Sequence, residues 1–318
     1  MLPSGATPLA DLPRSGLVAV IVAAHESGLI ADLSSGLTVA ATAARRRIDE
    51  RAAGLVVDAL CSLGLCTRRP DGSVDWPRRF DDGWPWTAVG EFLRKGEIGS
   101  VIDQTEARGP LYAQVVSALS DRAEPFASSV AAALPARRHV VDVGAGAGAW
   151  SLAMATASPG TRVTAIDLPE VLPRFFERAG RLGLADRVDG VAASYFEATV
   201  PNPIDRVLFA NVLHLESPAD CARLVGRFAE ALDPGGDVVI VDCILDGTSE
   251  QAEVFRAFYA LHLGMRTGRG GVHAIGDLRR WCEDAGLGDL RLVSPEPRVG
   301  LGVLVGVKPA TRPGRTRA

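Results

Sequence analysis

A histidine at the end of an apolar run is the first candidate for chemistry. His214 follows the segment VLFANVL, which predicts a buried strand, and it precedes Ser217 and Pro218, which predict the start of a helix. Unperturbed imidazole titrates near pH 6.5, so a histidine can take a proton from a hydroxyl group at cellular pH. The alternative role is packing at the strand end or capping of the helix.

A glycine-rich turn after another apolar strand is the second candidate. The strand HVVDV runs into GAGAGAW, where Gly144 and Gly146 would let a ligand approach backbone amides. With Ala149 they satisfy the dinucleotide pattern, so a nicotinamide-dependent dehydrogenase stays open. Asp142, just before the turn, would repel a pyrophosphate and favours a cationic or amino-bearing ligand such as a sulfonium.

A carboxylate ends the next predicted strand, RVTAID. From that position in a doubly wound sheet, Asp167 would accept hydrogen bonds from both ribose hydroxyls of a nucleotide cofactor. A sulfonium cofactor and a nicotinamide would both use it, so Asp167 does not discriminate between them. The structural alternatives are a tight turn for the glycines, loop amides as partners of Asp142, and a helix cap for Asp167.

Bulk composition restricts the function classes. The 318 residues are 47% hydrophobic and 23% charged, with a formal net charge of −4, which is typical of a globular chain with room for two domains. Mild acidity argues against nucleic acid as a partner. No apolar run reaches the roughly 18 residues of a membrane span, and the amino terminus has no secretory pattern. The five cysteines form no CxxC pair. We expect a cytoplasmic protein with no metal site and no membrane partner.

The order of predicted elements divides the chain. A helix over 14–35, two further helices and a hairpin at Pro70-Asp71-Gly72 predict an all-α winged-helix domain within 1–95. The third helix carries more acidic than basic side chains, which favours packing or dimerisation over DNA contact. Residues 96–138 are predicted as a helical linker, and residues 139–310 as an α/β domain with a largely parallel sheet. Residues 311–318 are predicted as a disordered tail.

Four segments stand in an order typical of one enzyme family: VVDVGAGAG, AIDLPEVLP, NVLHLESPADCARLV and EALDPGGDVVIVD. With them the chain resembles the S-adenosylmethionine-dependent O-methyltransferases that include plant caffeate and flavonoid enzymes and bacterial antibiotic-tailoring enzymes. The resemblance covers nearly the whole chain, because that family also has an amino-terminal winged-helix domain used for dimerisation. It implies a Rossmann-like class I methyltransferase domain, S-adenosylmethionine as cofactor and a homodimer.

The resemblance also implies roles for single residues. His214 matches the histidine of the family's HDW motif, the general base that takes the proton of the substrate hydroxyl. The implied cofactor-binding residues are Asp142, Gly144, Gly146, Asp167, Leu168, Ser194, Tyr195 and Asn211. The helix AEVFRAFYALHLGMRTG would form one wall of the substrate pocket, and the implied substrate-binding residues are Phe255, Tyr259, His262, Met265 and His273.

The sequence departs from the family near the site. HLE replaces HDW, GRGGVHA replaces a segment in which plant members carry a histidine-orienting glutamate, and Ala210 replaces a lysine that contacts the cofactor. The expected function is methyl transfer to a hydroxyl of an aromatic small molecule in bacterial secondary metabolism. The alternatives are methyl transfer to carbon or nitrogen, the same fold used for decarboxylation, hydroxylation or cyclisation, a ligand-sensing DNA-binding regulator, and the dehydrogenase.

Overall fold

The chain divides into two compact units, Met1–Trp84 and Pro85–Ala318. The structure is a computed structural model, and it describes residues 14–62, 65–75, 92–93, 101–103, 105–244, 250–293 and 301–310. The predicted tail at 311–318 lies outside the described residues.

The first unit consists of short helices followed by a hairpin. Its elements are α1 (Arg14–Glu26), α2 (Leu29–Ser34), α3 (Val39–Arg46), α4 (Glu50–Ser62), β1 (Thr67–Arg68) and β2 (Val74–Asp75). Leu33, Val57 and Leu60 lie at the centre of its apolar core. The two strands pair antiparallel around the predicted turn, so the hairpin is confirmed.

The prediction of one helix over 14–35 was wrong, because α1 and α2 are separate. Gly28 has a φ of 73°, in the left-handed region, and a residue in that conformation ends a right-handed helix. Its N–H donates to the carbonyl of His25, 3.0 Å away. α2 then begins at the next residue, Leu29.

The second unit is an α/β structure around one seven-stranded sheet. Its described elements include a 3₁₀ turn at Val101–Asp103 and the 29-residue helix α5 (Thr105–Ala133). The strands are β3 (His139–Val143), β4 (Arg162–Asp167), β5 (Val188–Ala192), β6 (Ile204–Ala210), β7 (Leu232–Asp242), β8 (Gly288–Val293) and β9 (Gly302–Val307). The remaining helices are α6 (Ala149–Ala157), α7 (Leu172–Arg181), α8 (Pro218–Glu230), α9 (Glu250–Arg266) and α10 (Ile275–Asp284).

The strand order is β5-β4-β3-β6-β7-β9-β8, and β9 runs opposite to the other six strands of this sheet, so that the β7–β9 and β9–β8 pairs are antiparallel. Alternate residues of each strand face opposite sides, as the pleat requires. Val140 and Leu208 belong to one apolar core, and Val141 and Phe209 belong to the other. Helices therefore cover both faces, and the predicted α/β fold class is confirmed.

The strand order reverses between β3 and β6, and ligands of doubly wound sheets bind in the crevice at such a point. The glycine turn follows β3 directly, and Asn211 follows β6. His214 comes three residues after Asn211, and Ser217 caps α8 by accepting the N–H of Asp220 at 3.2 Å. The topology thus brings the two candidate motifs to the same end of the sheet.

Candidate active site

The glycine turn after β3 requires residues without a side chain. Gly144 has a φ of 69° and Gly146 a φ of 57°, both in the left-handed region. A Cβ atom on Gly144 would come within 2.6 Å of the Val212 Cγ2 atom on the neighbouring strand end. A side chain at 144 would therefore collide with Val212, which also lines the pocket described below.

Asp167 is held against this turn by backbone amides. Its Oδ2 atom accepts the N–H of Gly146 at 2.7 Å, and its Oδ1 atom accepts the N–H of Leu168 at 2.7 Å. Burial raises the pKa of Asp167 to about 6, against the effect of these two donors. The carboxylate is oriented before any ligand arrives, and it lines the pocket described next.

A pocket occupies the crevice at the strand ends. Seven of the eight predicted cofactor residues line it: Gly144, Gly146, Asp167, Leu168, Ser194, Tyr195 and Asn211. The eighth, Asp142, lies behind the turn with 1% of its surface exposed. Its Oδ2 atom accepts the Ser151 hydroxyl at 2.5 Å, and burial raises its pKa to about 7. Asp142 thus anchors α6 to β3 from beneath the pocket.

His214 is buried in a short 3₁₀ turn, Leu213–Leu215, and its imidazole is hydrogen-bonded on the Nδ1 side. The Nδ1 atom lies 2.7 Å from the Oδ1 atom of Asp242. That carboxylate also accepts the N–H groups of His214 at 3.3 Å and Cys243 at 2.7 Å. Burial alone would raise the pKa of Asp242, but the His214 imidazole and the N–H donors lower it below its ordinary value.

An ionised carboxylate can only accept hydrogen bonds, so Asp242 requires the proton of His214 on Nδ1. The Nε2 atom then carries the lone pair that a base needs. The sequence analysis missed Asp242, although a signal for it existed: the strand DVVIVD ends in this aspartate, and β7 is the parallel neighbour of β6. Adjacent parallel strands bring their carboxyl ends together, as these two do.

The Nε2 side of His214 faces the predicted substrate wall, α9. The Tyr259 hydroxyl lies 3.3 Å from Nε2, and the two rings meet edge to face with centroids 5.5 Å apart. Phe255 and His262 stack on the two sides of Tyr259, with centroids at 5.7 and 6.1 Å. Burial raises the pKa of Tyr259 well above its usual range, so the hydroxyl stays protonated and donates to Nε2.

The other two predicted substrate residues lie elsewhere. Met265 is 1% exposed and belongs to the interior. The His273 Nε2 atom lies 3.0 Å from the carbonyl oxygen of Leu213 and 3.5 Å from the Cys221 sulfur, and its ring packs against Trp281. His273 therefore contacts the backbone of the turn that carries His214.

The loop between α9 and α10, residues 267–274, packs closely on the same turn. A Cβ atom on Gly270 would collide with the carbonyl oxygen of His214 and the backbone of Leu215. The neighbouring Gly271 N–H donates to that carbonyl at 2.9 Å, and a Cβ atom on Gly271 would meet nothing within 4 Å. The Thr267 hydroxyl holds the start of the loop by donating to Asp103 at 2.6 Å.

A charged cluster beside the pocket was not predicted from the sequence. Glu216 is fully buried and accepts hydrogen bonds from Arg108, at 2.7 Å, and from the Tyr195 hydroxyl. Arg108 also donates to Tyr195 at 2.7 Å, and Arg269 lies 3.7 Å from the second oxygen of Glu216. Arg108 and Arg269 thus balance the negative charge of Glu216, which belongs to the HLE segment where the sequence departs from the family. Arg108 gave no sequence signal, since it stands 108 residues from its partner.

The described ranges contain neither a candidate metal site nor a candidate membrane span. No three His, Cys, Asp or Glu side chains there are placed to hold a metal ion together. Among the helices that the structure describes, none combines the length and the apolar character needed to cross a bilayer.

A doubly wound sheet with a glycine turn, an oriented carboxylate at the end of the second strand and a pocket between them defines a Rossmann-like enzyme with a nucleotide-type cofactor. Residues 110–277 match the family model of the O-methyltransferase domain. The chain belongs to this family, whose members are S-adenosylmethionine-dependent methyltransferases, and its second unit has the class I methyltransferase fold.

Two similar proteins with assigned functions come from Streptomyces species. The chain is 30% identical over 172 residues to the 3-hydroxy-5-methyl-1-naphthoate 3-O-methyltransferase of Streptomyces sahachiroi, covering 54% of this chain and 49% of that protein. It is 28% identical over 279 residues to the tetracenomycin polyketide synthesis 8-O-methyl transferase TcmO of Streptomyces glaucescens, covering 78% and 80%. The chain thus spans about half the length of the first relative.

The fold is shared with solved structures. Human N-acetylserotonin methyltransferase, in complex with S-adenosylmethionine, superposes with a TM-score of 0.63 at 20% identity, over 97% of this chain and 100% of that one. At this level of identity the similarity concerns the fold.

Proposed function

We propose that this protein transfers a methyl group from S-adenosylmethionine to a hydroxyl of an aromatic small molecule made by bacterial secondary metabolism. The observation that carries the proposal is the His214–Asp242 pair, in which Nε2 of His214 faces an aromatic wall at the end of the sheet where the cofactor pocket lies. The activities in the names of the two bacterial relatives support it.

The pocket residues fit this cofactor. Gly144 and Gly146 line the pocket without side chains, so a ligand can approach the backbone closely, and Asp167 presents an oriented carboxylate to ribose hydroxyls. Arg108 lines the same pocket, and its buried Nη2 atom has no hydrogen-bond partner within the described part of the chain. It is a donor for an accepting group of the cofactor. Ser194, Tyr195 and Asn211 complete the proposed binding set, and Leu168 flanks Asp167.

His214 acts as general base in this proposal. Asp242 keeps the proton on Nδ1, so Nε2 can take the proton of a substrate hydroxyl that replaces Tyr259 as its partner. The imidazolium that forms lies 2.7 Å from a carboxylate that stabilises its charge. S-adenosylmethionine supplies an electrophilic methyl group on a sulfonium. Holding the acceptor oxygen beside it accounts for much of the remaining rate enhancement.

A mass-shift assay tests this function. Wild type, His214→Ala and the exposed control His25→Ala are incubated with S-adenosylmethionine and hydroxylated naphthoates and polyketide phenols. We expect wild type and the control to add one methyl group and His214→Ala to lose about 100-fold or more in rate. Full activity in His214→Ala would contradict the assignment of His214 as the general base. Binding of the cofactor with no methylation of any acceptor would favour the alternative, in which the fold performs decarboxylation, hydroxylation or cyclisation.

The cofactor assignment has its own test. Asp167→Ala removes the proposed ribose acceptor, and calorimetry should then record weaker binding of S-adenosylmethionine. Unchanged affinity would contradict the role of Asp167. We further propose that the chain forms a homodimer through its first unit. Light scattering should give twice the mass of one chain, and the mass of a monomer would contradict this.

A further inference from the structure

The last turn of α9 carries a cation on the side of the helix that faces His214. Tyr259, His262 and Arg266 are three and four residues apart, so they share one helix face, and we call them the α9 row. The Nη1 atom of Arg266 lies 3.4 Å from the Nε2 atom of His262, whose ring stacks on Tyr259. Because the Tyr259 hydroxyl contacts His214, the row leads from the base to the guanidinium.

Arg266 differs from the nearby arginines Arg108 and Arg269, because those two have carboxylate partners among the described residues and Arg266 has none. Arg108 pairs with Glu216 at 2.7 Å, and Arg269 lies 3.6 Å from Asp103. No carboxylate of the residues described here lies within 4.0 Å of Arg266, whose recorded polar contact is the His262 ring. Arg266 is half-buried. Burial removes part of the water around the Arg266 guanidinium, and no carboxylate among the described residues offsets that cost. An anionic ligand would offset it.

The position of Arg266 assigns it to the acceptor side. Arg108 and Arg269 line the cofactor pocket, and Arg266 is not among the described residues that do so. Burial raises the pKa of Tyr112 and of Tyr259, and the charge of Arg266 opposes that effect at both hydroxyls. Tyr112 lines the cofactor pocket and Tyr259 contacts the base. The cation therefore lies on the helix that contacts His214, where the proposed function places the methyl acceptor.

We propose that Arg266 binds a carboxylate of the methyl acceptor, and that the acceptor is a planar aromatic hydroxy acid. The inference rests on the proposed function, which places the acceptor hydroxyl at His214. Guanidinium and carboxylate form paired, charge-assisted hydrogen bonds, and the aromatic rings of Tyr259 and His262 lie between the two polar ends. Arg266 stands seven positions after Tyr259, which is about 10 Å along a helix axis. A fused two-ring acid with its substituents at opposite ends spans that distance.

The methionine part of the cofactor also carries a carboxylate, so the experiment must separate the two sources. The full chain saturated with S-adenosylhomocysteine is titrated by calorimetry with 6-hydroxy-2-naphthoate, with its methyl ester and with 2-naphthol. The variants are Arg266→Met, Arg266→Lys and the matched control Arg256→Met, which alters an exposed arginine of the same helix. The affinity of each variant for S-adenosylhomocysteine is measured first.

We expect wild type and Arg256→Met to bind the acid at least tenfold more tightly than the ester. Arg266→Met should bind both equally, and Arg266→Lys should keep part of the preference, with unchanged affinity for S-adenosylhomocysteine throughout. Equal binding of acid and ester by wild type, or a preference that survives Arg266→Met, overturns the proposal. Weaker binding of S-adenosylhomocysteine by Arg266→Met also overturns it and assigns the arginine to the cofactor.

Turnover is measured separately, with S-adenosylmethionine and the same three compounds. Selective binding of the acid without methylation of any compound would contradict the methyl-transfer function and still support a carboxylate site at Arg266. Methylation without preference for the acid would support the methyl-transfer function and contradict a carboxylate site at Arg266. The lysine variant keeps the test informative if Arg266→Met does not fold, because it retains the charge.

Discussion

Asp242 decides which nitrogen of His214 carries the proton, so its charge matters more than its size. Asp242→Asn keeps the shape of the side chain but can present an N–H group to Nδ1, which would turn the imidazole to the wrong tautomer. We expect kcat for methyl transfer to fall by about 100-fold or more. Calorimetry should find the affinity for S-adenosylhomocysteine unchanged. A kcat close to that of wild type would show that the base does not need this partner.

The Tyr259 hydroxyl contacts Nε2 of His214, the atom that the proposed function assigns to the substrate hydroxyl, so substrate binding in that proposal breaks this hydrogen bond. Tyr259→Phe removes this competitor and keeps the ring that packs against His214. Since a hydrogen bond contributes about 1 kcal/mol net, we expect KM for the acceptor to fall by about fivefold with little change in kcat. Steady-state kinetics check this, and a higher KM would mean that the hydroxyl helps to hold the acceptor.

At the scale of elements, the loop between α9 and α10 holds the turn that carries His214. Gly270→Ala would push the carbonyl oxygen of His214 away, whereas Gly271→Ala adds a methyl group to open space and keeps its N–H donor. We expect kcat to fall by about tenfold or more in the first variant, because small displacements of reacting groups are costly. The second variant should match wild type. Equal kinetics of the two variants would contradict this role of the loop.

The elements also show what a sequence can predict. The glycine turn, the strand before it and Asp167 are local patterns with a physical reason at each position, and the structure brings them to one pocket. The break at Gly28 is a local signal that the apolar pattern over 14–35 concealed. Arg108 and Glu216 meet only through the tertiary fold, since no local pattern joins residues so distant in sequence. Asp242 lies between these cases, because it could be found once β6 and β7 were taken as neighbours.

At the scale of the whole molecule, the two acids next to the glycine turn, Asp142 and Asp167, make the free energy of unfolding depend on pH. Burial raises the pKa of Asp142 from 3.8 to about 7, so the folded protein holds a proton that the unfolded chain releases above pH 3.8. Its contribution to stability is complete below that pH and is lost as pH rises through about 7. Asp167, whose pKa is about 6, acts in the same direction.

Asp142→Asn should remove the larger part of this dependence. The amide keeps an oxygen for the Ser151 hydroxyl and cannot ionise. Each pH unit between the two pKa values is worth about 1.4 kcal/mol, so we expect the variant to gain at least about 1 kcal/mol over wild type between pH 5 and pH 8. Urea denaturation without cofactor at the two pH values measures the difference. A constant difference between variant and wild type would mean that Asp142 does not titrate in this range.

The wall that faces His214 and the turn that faces the cofactor pocket are encoded far apart in the gene. α9 spans Glu250–Arg266 and contains none of the residues assigned to the cofactor, all of which precede β7. A recombination event that replaced this one helix would change which molecule enters the site and leave the methyl donor untouched. Descendants of such a chain could therefore acquire new acceptors without passing through an ancestor that had lost its cofactor.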